Sequence, residues 1–63
     1  MEIMDLLNDI EDIIYSARAD VVKFDEGNNA AGARVRKAMQ TVKTQAQEVR
    51  VTVTEIKNKR KEN

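Results

Sequence analysis

Arg34, Arg36 and Lys37 stand within four residues of one another, directly after the small-residue run Ala30-Ala31-Gly32-Ala33. If that run opens a helix, the cations sit where about half a positive charge and four unpaired backbone N–H groups already gather. Cations at such a place are unfavourable unless an anion docks or carboxylates compensate. The small side chains leave the helix start bare, so that a phosphate could approach its N–H groups. Three cations pointing in different directions suit a phosphate backbone better than a single pocket. A second reading needs no ligand. Asp25 and Glu26, at the negative end of a preceding helix, would neutralise Arg34 or Lys37 across the turn, and the small residues would serve a tight helix crossing.

Arg36 also begins a stripe, with Lys43, Arg50 and Lys57 following at intervals of seven. Such a stripe is either flanking charge that pairs with a neighbouring helix or a row of phosphate contacts. Antiparallel docking about residue 28 brings Asp25 near Arg36 and Glu11 near Arg50, but sets Arg18 against Lys43. Pairing therefore accounts for only part of the row. The terminal run Lys57-Asn58-Lys59-Arg60-Lys61 either complements a helix dipole or adds diffuse phosphate contacts.

Catalysis has little to work with. The chain has no histidine and no cysteine, and its one serine, Ser16, has no base in reach by spacing. Asp5, Asp9 and Asp12 share a helical face but lack the alternating oxygen-ligand loop of a calcium site. They read as a solvated acidic face. No enzymatic activity, metal site, cofactor or small-molecule substrate is expected. Tyr15 and Phe24 are the only aromatics, too few for a base-stacking platform. Apolar residues are scattered at regular spacing, with no transmembrane run and no signal-peptide core. Acids interspersed through the helical pattern argue against a membrane-surface helix. The expectation is a soluble cytoplasmic protein without a membrane partner.

The elements that position these cations follow from a charge split and two apolar seams. The net charge is zero over 63 residues. Residues 1–29 hold eight acids against Arg18 and Lys23, a net of −6, whereas residues 30–63 hold nine bases against three acids, a net of +6. Ile3, Leu7, Ile10, Ile14, Ala17, Val21 and Phe24 recur in steps of four and three, the spacing of a heptad seam. Leu6 and Ile13 widen that stripe. Val35, Met39, Val42, Ala46, Val49, Val53 and Ile56 repeat the pattern. Gly27 suits the position just past a helix end and Asn28 or Asn29 a following N-cap. The spacing predicts one domain over 1–63, with a helix over 3–26, a turn over 27–29 and a helix over 30–59. Residues 57–63 form a basic, frayed tail. Val49-Arg50-Val51-Thr52-Val53-Thr54 alternates like a strand, but the heptad phase runs through it unbroken.

A short connection makes the two helices antiparallel neighbours. A hairpin this small encloses little core on its own, and Leu6, Ile13 and Ile14 should stay partly wet in a monomer. Burying a Leu or Ile side chain is worth roughly 1.5–3 kcal/mol, so association is favoured. The fold predicted is an all-α antiparallel hairpin that dimerises into a four-helix bundle, with Leu6, Leu7, Ile10, Ile13, Ile14, Val42 and Val49 in the oligomer core.

The run Gly27-Asn28-Asn29-Ala30-Ala31-Gly32-Ala33-Arg34-Val35-Arg36-Lys37, followed by Gln45-Ala46-Gln47-Glu48-Val49-Arg50, resembles the histone-like (linker-histone-like) nucleoid proteins of chlamydiae and Bacteroidetes. The resemblance covers about residues 10–58. It implies binding and compaction of double-stranded DNA in the nucleoid, with Arg34, Arg36 and Lys37 contacting phosphates and Gly27, Asn28 and Gly32 shaping the corner. Chlamydial members carry a long lysine-rich C-terminal tail. Here Lys57, Lys59, Arg60 and Lys61 make only a stub, so DNA affinity is expected to come from the folded surface. The function expected is non-sequence-specific DNA binding by Arg34, Arg36, Lys37, Lys43, Arg50 and Lys57 with that stub. The rival is a homo-oligomeric coiled-coil module whose acidic and basic helices simply pair with each other.

Overall fold

The computed structural model describes residues 2–62. It consists of two helices, α1 (Ile3–Asp25) and α2 (Asn29–Glu62), packed along each other as an antiparallel hairpin 56 × 15 × 13 Å in extent. The all-α hairpin read from the seams is the fold of the chain.

The turn closes by backbone hydrogen bonds that its sequence makes possible. The Gly27 N–H donates to the Phe24 carbonyl (2.9 Å) and the Asn28 N–H to the Lys23 carbonyl (3.0 Å). This pair defines a Schellman motif, whose central residue must adopt positive φ. Gly27 has φ +103°, a conformation that L side chains rarely adopt. Asn28 then caps α2, its Oδ1 accepting from the Ala31 N–H at 3.1 Å. Asn28 rather than Asn29 is the cap, and Asn29 is the first helical residue. The turn accordingly occupies 26–28, one residue earlier than the spacing suggested.

The second helix continues through Glu62, past the end at residue 59 that the spacing predicts; Asn63 lies outside the described residues. Residues 49–54 are helical as well. The hydroxyl of Thr54 donates to the carbonyl of Arg50 (3.0 Å), as Thr41 and Thr44 do to those of Lys37 and Gln40. These bonds give β-branched residues a partner inside the helix.

The helices meet along a seam rotated from the expected one. On α1 the covered positions are Ile3, Leu6, Asp9, Ile10, Ile13, Ala17 and Asp20. On α2 they are Ala31, Gly32, Val35, Ala38, Val42, Gln45, Val49 and Thr52. One set of seam positions is as read (Ile3, Ile10, Ala17; Val35, Val42, Val49), but the other falls one residue earlier. Leu6, expected to be partly wet, is 2% exposed inside the hairpin itself, and Ala17 and Ala31 are also buried. On α2 this line carries Ala31 and Ala38, smaller than the Met39 of the neighbouring line. Leu7, Ile14, Val21, Met39 and Val53 are left about 40% exposed.

Candidate nucleic-acid interface

The corner that carries Arg34, Arg36 and Lys37 is built by packing across the turn. Gly32 lies under the ring of Phe24: a Cβ added there would come within 2.5 Å of Phe24 Cδ1 and 2.7 Å of Cε1. Ala31 is fully buried and its N–H is taken by Asn28. The small-residue run is therefore occupied by α1 on one side rather than lying bare for a phosphate. Its smallness serves the helix crossing, the second of the two readings.

The charge of the corner is also balanced differently from expectation. Arg34 Nε donates to Asp20 Oδ1 at 2.9 Å, with Arg34 half-exposed and Asp20 partly covered. This is the only ion pair among the described residues. Asp25 and Glu26 are exposed and make no ion pair with the corner, and the anticipated Asp25–Arg36 and Glu11–Arg50 pairs are not formed. The reason is register. Asp20 lies level with Arg34 and Phe24 with Gly32, so residues whose numbers sum to about 55 face each other, several short of the sum assumed for those pairs. Asp20 was missed, although counting outward from a turn centred on Gly27 and Asn28 would have placed it opposite Arg34.

Arg36, Lys43, Arg50 and Lys57 are all exposed along one edge of α2, as is Lys37 beside Arg36. None of them has an ion-pair partner among the described residues. At 1.5 Å rise per residue, this row is about 32 Å long with a cation every ~10.5 Å. Lys59, Arg60 and Lys61 are exposed on the last turns of α2. Ile3 and Met4 lie beside Thr52 and Ile56, so these last turns run on beyond the start of α1.

The two faces of the hairpin differ. One carries Asp12, Ser16 and Asp20 beside Ile13, Ala17 and Ala38. On the other, a shallow groove runs between Val21, Phe24, Gly32, Val35 and Arg36. Among the described residues one buried side-chain polar atom lacks a partner, the Oε1 of Gln45 in the seam. Among the described residues no cluster of side chains is arranged to hold a metal ion, and no helix is long and apolar enough to cross a membrane.

A family model described as histone H1-like protein Hc1 matches residues 4–59 of the chain. No curated protein and no solved structure matches.

Proposed function

From the premise that the chain belongs to the histone H1-like Hc1 family, a family of histone-like proteins rather than of enzymes, we propose that it binds duplex DNA as a component of the nucleoid. Binding is to the phosphate backbone and without sequence preference. The contacts come from Arg36, Lys37, Lys43, Arg50 and Lys57, extended by Lys59, Arg60 and Lys61, with Arg34 partly spent on Asp20. Two hairpins associate into a four-helix bundle, so each particle presents two such rows and can organise or compact DNA.

The observation that carries this reading is the row on α2: five exposed cations along one helix edge with no carboxylate within ion-pair distance among the described residues. A charge row whose purpose was pairing within the hairpin would have found partners on α1, which holds six acids. Nothing in the row resembles a base-reading helix in a groove, because its cations are spaced along the whole helix rather than gathered at one end.

The test is fluorescence anisotropy on unrelated duplexes over a salt series, for wild type and an Arg36/Lys37/Lys43→Gln variant. Wild type should bind all duplexes alike, with log affinity falling steeply against log salt, by about 0.9 per phosphate contact. The variant should bind more weakly and with a shallower slope. No binding by wild type at low salt, or an unchanged slope in the variant, refutes the reading. The first of these outcomes would favour a pure protein-interaction module.

A further inference from the structure

The hairpin leaves one long face unpartnered. Leu7, Ile14 and Val21 each follow a seam residue by four on α1, as Met39, Ala46 and Val53 do on α2. In an antiparallel pair, equivalent rows of the two helices fall on the same side of the hairpin. The groove that joins Val21 to Gly32, one heptad before Met39, and to Arg36 has this arrangement at the turn end. This face is more apolar than the seam the hairpin uses internally, which spends positions on Asp20, Gln45 and Thr52.

We propose that a second copy of this chain covers this face, with each α2 lying across the α1 of the other copy and both turns at the same end of the bundle. The proposal rests on the self-association just described but not on DNA binding. Charge selects the occupant and its direction. The face is bordered on α2 by Arg36, Lys43, Arg50 and Lys57, and on α1 by Met4, Glu11, Arg18 and Asp25. Two copies related by a two-fold axis can meet face to face in two ways. An axis across the helices sets α2 on α2 and the basic row against itself. An axis along the helices sets α2 on α1, the +6 half against the −6 half.

In the second arrangement levels are kept, so the register of the hairpin holds between copies. Among the bordering residues, Lys43 comes level with Glu11 of the second copy, and Arg50 with Met4. Arg36 and Arg18 are the one like-charged meeting. All neighbouring helices are antiparallel. The bundle that results is polar as an object: two turns with their cations at one pole, two basic helix ends at the other.

The chain has no cysteine, so single-cysteine variants report cleanly. Mixed Glu11→Cys and Lys43→Cys chains should join through a short bifunctional maleimide as a heterodimer, whereas Lys43→Cys alone should stay unjoined. Lys43→Cys joining to itself, without the mixed product, overturns the direction proposed. Light scattering without DNA should give the mass of two chains for wild type. Ile14→Glu and Val53→Glu should give one chain at preserved helicity, and Tyr15→Glu, on the outer side of α1, should leave the pair intact. A one-chain mass for wild type at all concentrations overturns the dimer while leaving duplex binding to be decided by its own salt series. Dissociation by Tyr15→Glu as complete as by Ile14→Glu overturns the assignment of the face.

Discussion

Replacing Gly32 by alanine tests whether the turn is held by the ring of Phe24. Two effects oppose each other. Alanine in a helix is better than glycine by about 1 kcal/mol, which stabilises. Its Cβ would lie 2.5 Å from Phe24 Cδ1, so the ring must swing away and lose its seat. Phe24 is 50% exposed, and full burial of such a side chain is worth about 1.5–3 kcal/mol. About 1 kcal/mol of contact is therefore at stake. Gly32→Ala alone should be close to neutral. In a Phe24→Ala background, where nothing blocks the new methyl, the same change should stabilise by about 1 kcal/mol. The coupling energy of the cycle is then about 1 kcal/mol, a difference of roughly 4–8 °C in Tm for a domain of this size. Thermal unfolding followed by circular dichroism at one fixed protein concentration reads it directly. Equal stabilisation in both backgrounds would refute the packing role assigned to this pair.

Asn28→Ala removes the cap of α2 and should cost about 0.5–2 kcal/mol; urea unfolding measures it. Gln45→Leu should raise stability by about 1–3 kcal/mol in the same experiment, because it replaces a buried oxygen that lacks a partner with a side chain suited to the seam. Asp20→Asn releases Arg34 from its ion pair. It should leave stability within about 1 kcal/mol and steepen the salt dependence of duplex binding by up to about 0.9 per freed cation, measured by anisotropy.

The hairpin was legible because the signals agreed. Heptad spacing ran unbroken through each helix, and Gly27 followed by Asn28 supplied the only break. Which line of each helix faces its neighbour was not legible. Apolar residues occur in adjacent pairs, Leu6 with Leu7 and Ile13 with Ile14, so periodicity supports two seams at once. Hydrophobicity favoured the line through Val21, Met39 and Val53, yet the hairpin closes on the line through Asp20, Ala38 and Gln45, which buries Leu6 and Ala31. The cations of the corner were identifiable by type and spacing. Their partners were not, since a pair such as Arg34 and Asp20 depends on a register that a shift of a few residues changes completely. The reading of Ala30 to Ala33 as a bare helix start failed for a related reason. Smallness marks a place where something comes close, and here that is the ring of Phe24.

The slenderness of the hairpin bears on what kind of chromatin it could build. A duplex 56 Å long carries about 33 phosphate charges, whereas a chain of that same length brings eleven bases and eleven acids. Laid along DNA, it exchanges small counterions for a sheath that is neutral as a whole, and the fibre beneath keeps nearly all its own charge. Duplexes coated this way continue to repel one another. Compaction by such a protein would then come from discrete cross-bridges between strands rather than from neutralisation, leaving a mesh that stays hydrated, dissolves readily in salt and remains open to other proteins.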